Sequence, residues 1–230
     1  MGPPRLHSRR PNGLQGGIQA DEAIVNGAGV GHLQNVHTRT PQGGEELVGG
    51  GGGGGAIGLA AKGVGGRGMP DGSEDCVNLL YTDYESTYRK VNTDGITRVL
   101  KNAKAENPDF IIAMVHWGSE NNDTISKTQQ SIITLLQKNG VGLILGTHPH
   151  LVQQVEYDQS AGTLVAYSLG DFYGDGTRKG TNYSIILDVE ITKYADKKTT
   201  KVTGYSYTPI YTVVGSQAAD GFQRVVRIEQ

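Results

Sequence analysis

The sequence is short of cysteine, of excess charge and of long apolar runs, and each shortage excludes a class of protein. Cys76 is the only cysteine among 230 residues, so neither an internal disulfide nor a cysteine-based metal cluster is possible. No apolar run approaches the roughly 20 residues of a membrane-spanning helix. Residues 1–20 contain arginines but lack the apolar core of a signal peptide. With 21 basic and 23 acidic residues, the chain is predicted to have no nucleic-acid partner.

Aromatic residues are missing altogether from the first third of the chain. Residues 1–75 contain 22 of the 35 glycines, including the run Gly49–Gly55, but no tyrosine, phenylalanine or tryptophan. Such a segment has little apolar surface to bury against the entropy of ordering it. We therefore predict a disordered Gly-rich segment over 1–75 and a folded domain over 76–230. The histidines of the first segment, His7, His32 and His37, are interpreted as non-functional.

The folded part is organised around a predicted strand–helix–strand unit. Phe110–Val115 and Val141–Leu145 are short apolar runs, typical of strands buried on both faces of a parallel sheet. Ser126 and Gln129 have the spacing of a capping box at the start of the intervening helix. Gly140 supplies the left-handed residue that ends it. A unit of this length predicts two parallel strands with a right-handed crossover.

Histidines follow both predicted strands. His116 comes after the first strand, and His148 and His150 come after the second. Because parallel strands end at the same edge of a sheet, the three imidazoles are expected to meet there. Pro149 favours an extended His148, which would turn both histidines of the pair toward one site, whereas an irregular turn would split them toward two ions. Imidazole suits Mn, Zn and Fe, although surface-loop histidines are the alternative interpretation of each motif alone.

Three ordered motifs carry a resemblance to a known family. HWGSE begins at His116, GTHPHLVQ at Gly146 and YSLGDF at Tyr167. In order and spacing they resemble the capsule-synthesis CapA family of poly-γ-glutamate biosynthesis proteins, over about residues 77–211. That family resembles the metallophosphoesterases, which implies a layered α/β/β/α sandwich with a two-metal site, here incomplete at its N-terminal side.

The resemblance also implies roles for particular residues. His116, His148 and His150 match the metal ligands, with His116 and His148 serving one ion and His150 the other. Glu120 and Gln153 match positions beside the ligands, and a solvated loop acid is the equal alternative for Glu120. The implied cofactor is a divalent Mn, Zn or Fe ion.

The loop Gly170–Gly180 is either a loop at the metal edge or a solvated turn, and its Asp-Gly pair favours the turn. Asp171 stands where the family usually has asparagine, and neither it nor Asp175 is aimed at the site by spacing. The Gly-Asp, Asn-x-Glu and Asn-Asn-His motifs that the family has further toward its N-terminus are missing from 1–75. A misjoined reading frame would explain this, and a continuous natural frame at the source locus would contradict it.

Three functions follow as hypotheses. The first is a CapA-like protein of bacterial capsule or poly-γ-glutamate biosynthesis with a metal-dependent, phosphoesterase-like site. The second is a generic metallophosphoesterase, and the third is a non-catalytic fragment. Because the expected bridging carboxylates are missing, we predict weak Mn or Zn binding and no turnover of a generic aryl phosphate ester. The resemblance further implies a location at the cell envelope, with capsule-synthesis machinery at the membrane as partner.

Overall fold

The computed structural model describes residues 78–83, 87, 89–174, 176, 178–194 and 199–228, together with the backbone of two earlier strands at 36–39 and 55–60. The helices are α1 (Thr93–Ala105) and α2 (Lys127–Lys138). The strands are β1 (Val36–Arg39), β2 (Gly55–Ala60), β3 (Ile111–His116), β4 (Val141–Thr147), β5 (Val155–Asp158), β6 (Thr163–Ala166), β7 (Tyr183–Tyr194), β8 (Thr199–Val213) and β9 (Arg224–Arg227). No helix in this part of the chain is both long enough and apolar enough to span a membrane.

The strand–helix–strand unit predicted from the sequence is confirmed. β3 and β4 pair in parallel, and α2 connects them. The Ser126 hydroxyl accepts a hydrogen bond from the Gln129 N–H, and the Gln129 side chain accepts one from the Ser126 N–H, which completes the capping box. Gly140 follows the helix with φ +84°, a conformation that glycine adopts without strain. Six of the seven residues of β4 are buried, as expected of a strand covered on both faces.

Two sheets form the framework of the described chain. The five-stranded sheet has the order β2-β3-β4-β6-β5, parallel except for the antiparallel edge strand β5. The four-stranded sheet has the order β1-β7-β8-β9 and is dominated by the long antiparallel β7–β8 pair. The predicted α/β class with a parallel sheet is therefore confirmed.

Two hydrophobic cores lie on the two faces of the five-stranded sheet. One joins the sheet to the helices, with Ile96 and Leu100 of α1 and Ile132 and Leu136 of α2. The other contains residues of both sheets, among them Leu143 of β4 and Val189 and Ile191 of β7. The described elements thus supply a helical layer and two sheet layers. Since the second helical layer of the expected sandwich is not among them, the α/β/β/α arrangement stays a prediction.

Two strands correct part of the prediction for residues 1–75. β1 pairs in parallel with β7, and β2 pairs with β3 along its whole length. The glycine run concealed this strand, because β2 begins at the last glycine of the run and contains only two large apolar residues, Ile57 and Leu59. The rest of 1–75 and Cys76 lie outside the described residues, so the domain boundary stays a prediction.

Pro209 lies inside a strand without breaking it. It lies within β8 opposite Ile185. The N–H of Ile185 donates to Leu169 O rather than across to β8, and Pro209 O accepts from the N–H of Ile228 just past β9. Proline is tolerated here because the missing donor falls where the pairing with β9 ends.

Candidate functional site

His116 and His148 come together at the carboxyl edge of the parallel sheet. His116 is the last residue of β3, and His148 follows β4, whose Thr147 pairs with His116. The two imidazole centroids lie 4.5 Å apart with the rings tilted by 55°, and both side chains are half-buried. The predicted convergence of parallel strand ends therefore holds for these two histidines.

Thr147 determines which nitrogen of His116 carries the proton. The Thr147 hydroxyl donates to Val115 O at 3.3 Å, and its oxygen lies 3.2 Å from Nδ1 of His116. Because the hydroxyl proton is already engaged, we assign the proton of this contact to Nδ1 of the imidazole. This tautomer places the basic lone pair of His116 on Nε2, the nitrogen that metal-binding histidines commonly present.

His150 is turned toward Asp171 rather than grouped with the other two histidines. Its Nδ1 lies 2.9 and 3.0 Å from the two carboxylate oxygens of Asp171, and its ring centroid is 6.4 Å from that of His148. A carboxylate only accepts hydrogen bonds, so Nδ1 of His150 is the donor. The spacing of the sequence did not predict this contact, which joins residues 21 apart.

The backbone explains why the pair splits. His148 has φ +102° and His150 has φ +60°, so the turn is irregular and the extended His148 expected from Pro149 is not found. Extended residues two apart would face one side, whereas this turn sends His150 to Asp171. Of the two arrangements considered from the sequence, the irregular turn is the one observed.

Trp117 fixes the strand end that carries His116. It is fully buried, its backbone N–H donates to Thr147 O at 3.1 Å, and its indole Nε1–H donates to Tyr167 O at 2.9 Å. Gly146 makes this close packing possible, because a Cβ there would lie 2.0 Å from Tyr167 O and 2.5 Å from the indole nitrogen. The ends of β3, β4 and β6 are thereby held together beneath the histidines. The HWG motif marked Trp117 in the sequence, but only the fold shows that its side chain is buried.

Glu120 and Gln153 occupy different environments. Glu120 is exposed in the turn after β3. Gln153 is buried, and its side-chain amide donates to Asn122 O at 3.0 Å. It therefore ties the loop after β3 to the segment after β4, a supporting role that does not require ligand contact. Whether either residue assists a bound ion stays a prediction.

Two buried side-chain amides lie in this region, and the sequence assigned only a capping role to one of them, Gln129. Nε2 of Gln129 and Oε1 of Gln153 are buried and have no hydrogen-bond partner among the residues that the structure describes. A Cβ on Gly118 would lie 3.3 Å from Nε2 of Gln129 and 3.4 Å from the ring of Pro149, so this amide borders the turn between the two histidine motifs. Gln129 was recognisable from the sequence through its capping role alone.

The donor set matches part of a transition-metal site. His116 and His148 supply two imidazoles, and a hydroxyl and a carboxylate orient His116 and His150, as outer partners commonly do at metal sites. Within the described ranges, no group of three or more His, Cys, Asp or Glu side chains is placed to hold an ion. Asp175 lies outside those ranges. The metal-ligand assignment of His116, His148 and His150 therefore stays a prediction.

Comparison with known proteins gives the family. The chain is 28% identical over 85 residues to the "PGA biosynthesis protein CapA" of Bacillus subtilis (strain 168), covering 37% of this chain and 22% of that protein. It is 33% identical over 76 residues to the "Capsule biosynthesis protein CapA" of Bacillus anthracis, covering 33% of this chain and 18% of that protein. The aligned parts thus span about a fifth of each relative.

The match to a family as a whole is longer. The description "Bacterial capsule synthesis protein PGA_cap" matches residues 54–176, which begin just before β2 and include all three histidines of the candidate site. The resemblance carried by HWGSE, GTHPHLVQ and YSLGDF is thereby confirmed. Because the matched range is more than half of the chain, this protein belongs to the bacterial capsule synthesis family PGA_cap.

Proposed function

We propose that the chain acts in bacterial capsule or poly-γ-glutamate biosynthesis, and that its histidine edge binds one divalent transition-metal ion through His116 and His148. The observation that carries the metal proposal is the approach of these two imidazoles to 4.5 Å at the carboxyl edge of a parallel sheet. The family and the names of the two relatives support the biosynthetic role.

The residues of the chain prepare this edge in three ways. Thr147 holds His116 with Nε2 as its basic nitrogen, and the indole of Trp117 fixes the strand end beneath it. Asp171 holds His150 in the same tautomer at the rim of the edge. When bound, a divalent ion would supply Lewis-acid polarisation of a phosphoryl or acyl oxygen and activate water. This phosphoesterase-like chemistry is the finer part of the proposal.

His150 is proposed as a rim residue that reaches a second ion or the bound substrate. Its ring lies farther from His148 than that of His116 does, 6.4 Å against 4.5 Å, and its side chain is 45% exposed. Two ions of a hydrolytic pair lie about 3.5–4 Å apart and share a bridging ligand. No such carboxylate bridge is formed by the described residues. We therefore keep the expectation of weak Mn or Zn binding without turnover of an aryl phosphate ester.

The decisive experiment is metal binding by the purified chain. Calorimetric titration with Mn²⁺ and Zn²⁺ should give about one ion per chain, and His116→Ala or His148→Ala should each weaken binding at least about tenfold. The matched control replaces the histidines of the first segment together, as His7→Ala, His32→Ala and His37→Ala, and should leave the affinity unchanged. If the control variant loses the ion while His148→Ala keeps it, the proposed site is wrong.

An activity assay then separates the functional alternatives. Metal-dependent turnover of an aryl phosphate ester that His148→Ala abolishes would support the metallophosphoesterase alternative and contradict the expectation of a silent chain. Metal binding without turnover of the ester would support the expectation that the chain holds an ion but has no carboxylate to bridge a second one. We place this protein at the bacterial cell envelope, with capsule-synthesis machinery at the membrane as partner, because the relatives are named for capsule and poly-γ-glutamate synthesis.

A further inference from the structure

The contact between His150 and Asp171 is made at the surface of the protein. The side chains of the two residues are 45% and 28% exposed, and the loop from 170 to 180 that carries Asp171 contains four glycines. An exposed pair of this kind contributes little free energy, because water competes for both partners. A glycine-rich loop also loses much conformational entropy when it is ordered. The position of Asp171 therefore requires support from elsewhere in the fold.

Gly174 lies directly against the carboxyl group of Asp171. A Cβ on Gly174 would be 3.0 Å from Oδ2 and 3.4 Å from Cγ of Asp171. The same oxygen, Oδ2, lies 3.0 Å from Nδ1 of His150. The backbone of Gly174 thus closes one side of the carboxylate, and the imidazole occupies another. A displacement of Gly174 would allow the carboxylate to turn away from the ring.

Gln223 holds Gly174 from a distant part of the chain. Its side-chain amide donates a hydrogen bond to Gly174 O across 49 residues, and the residue is half-buried. Gln223 directly precedes β9, whose first residue, Arg224, pairs with Val213 of β8. The amide is therefore presented at the end of a paired strand rather than by a free loop. This hydrogen bond anchors the loop of Asp171 to the four-stranded sheet.

A second contact keeps the same loop against the end of β8. Gly176 has φ +60°, and a Cβ there would overlap the amide of Asn182 and lie 2.7 Å from Cγ1 of Val214. The amide of Asn182 is buried and donates to Thr212 O at 2.9 Å. The loop is thus packed on the end of β8 and hydrogen-bonded to the residue before β9.

We propose that Gln223 is a positioning residue for His150. By holding Gly174 in place it keeps Asp171 against the imidazole, so that Nδ1 carries the proton and Nε2 the lone pair. This inference deepens the proposed function and rests on it, because His150 is there the residue that reaches a second ion or the substrate. Gln223 lies beyond residues 54–176, the range that matches the family, so the C-terminal strands take part in orienting the histidine edge.

Nitrogen-15 NMR of the full chain without added metal tests this, so the outcome does not depend on whether the chain binds an ion. At about pH 8.5 an ordinary imidazole is neutral, and the shifts of its two ring nitrogens report which of them carries the proton. The parent chain should show His150 mainly as the Nδ1–H tautomer, and His150→Gln identifies its signals. The signals of His116, which Thr147 orients, should be the same in every Gln223 variant and show that the edge is folded.

Two substitutions separate the hydrogen bond of Gln223 from the shape of its side chain. Gln223→Met keeps the length but removes the donor, and the ratio of the Nδ1–H to the Nε2–H tautomer should fall about fivefold, the effect of losing a hydrogen bond of about 1 kcal/mol. Gln223→Lys retains an N–H donor of similar reach and should keep the ratio close to that of the parent. Gln217→Met, which changes an exposed glutamine in the preceding segment, is the control and should leave the ratio unchanged.

A double variant shows whether the effect passes through Asp171. In an Asp171→Ala background, Gln223→Met should change the tautomer ratio no further. An unchanged ratio in Gln223→Met, an equal loss in Gln223→Lys, or an equal loss in Gln217→Met would each overturn the proposal. A parent chain whose His150 carries its proton on Nε2 would overturn it as well. Failure of metal binding with these tautomer effects intact would contradict the proposed function alone.

Discussion

A carboxylate hydrogen-bonded to an imidazole decides which ring nitrogen the histidine presents to a ligand. At His150 the two oxygens of Asp171 lie within 3.0 Å of Nδ1, so Nδ1 is the donor and Nε2 carries the lone pair. Thr147 does the same for His116 with a neutral hydroxyl. His116 is therefore oriented by a neutral partner and His150 by a charged one. The charge of Asp171 should also stabilise a cation bound nearby, which the hydroxyl of Thr147 cannot do to the same extent.

Removing Asp171 should thus weaken metal binding without unfolding the chain. We expect Asp171→Ala to lower Mn²⁺ or Zn²⁺ affinity by about two- to threefold, because the ion held by His116 and His148 loses a negative charge at the rim of its site. Asp171→Asn removes the same charge but keeps an acceptor for Nδ1–H, so it should lower the affinity equally and leave the His150 tautomer unchanged. Titration calorimetry measures the affinity, and ¹⁵N chemical shifts of His150 report its tautomer. Glu106→Gln, an exposed change beyond α1, is the control, and an Asp171→Ala affinity equal to the control would contradict the role.

At the scale of single elements, a capping box satisfies backbone N–H groups at the start of α2. Ser126 and Gln129 satisfy each other's backbone N–H groups in the first turn. We expect Ser126→Ala to lower the free energy of unfolding by about 1 kcal/mol, because a backbone donor at the helix start is left without its acceptor.

Ser131→Ala is the matched control for this change. Its hydroxyl donates to Lys127 O inside α2, where alanine is the better helix former, so the substitution should be neutral or slightly stabilising. Urea unfolding followed by circular dichroism measures both variants. Equal stability of the two would show that the cap contributes nothing.

The elements around the site could be predicted because their signals are local. Apolar runs, the cap at Ser126 and the glycine at 140 each act within a few residues, and the parallel pairing of β3 with β4 follows from the length of their connection. The His150–Asp171 contact and the burial of Trp117 beneath β6 join residues 21 and 50 apart, and no local pattern encodes them. The turn at His148 adopts backbone angles that Pro149 alone does not predict.

At the scale of the whole molecule, the strand that carries His116 depends on a neighbour from early in the chain. β2 pairs with β3 along six residues, and the family match begins at residue 54, one residue before it. A disordered segment over residues 1–75, as the sequence predicts, would be dispensable for the folded domain. The pairing predicts otherwise, because removing β2 exposes a row of unpaired groups along β3.

Three truncations separate these expectations. Removing residues 1–34 leaves both early strands, removing 1–53 leaves β2, and removing 1–60 leaves neither. We expect the melting temperature to fall by roughly 5 °C or more between the second and third truncations, which differ by only seven residues. Differential scanning calorimetry gives the values. Identical melting of all three would restore the earlier interpretation that the segment is dispensable.

Two buried tyrosines predict how the molecule responds to alkali. Burial raises the pKa of Tyr81 and of Tyr167 to about 12, and the negative charges of Asp83 and Glu156 respectively add to the shift. The unfolded chain releases these protons near pH 10, whereas the native chain keeps them until about pH 12. Their contribution to stability is therefore complete below pH 10 and is lost as pH rises from 10 toward 12.

The measurement is the urea midpoint as a function of pH. It should stay level up to about pH 9.5 and then fall. Tyr81→Phe and Tyr167→Phe should each reduce the steepness of the fall, since each removes one proton that unfolding releases. A midpoint that stays level to pH 12 in the parent chain would contradict this account.

The irregular turn at His148 and His150 has a consequence for how this sequence can change over time. Both residues hold positive φ angles, which residues with a side chain adopt only at a free-energy cost of about 1 kcal/mol or more. Glycine would relieve that strain at either position, so selection for stability alone would replace both histidines. A lineage that needed only the fold would drift to glycine on either side of Pro149. A lineage that keeps both histidines retains the strained backbone at this turn and the free-energy cost that goes with it. What it retains at that cost is the chemistry of two imidazole side chains.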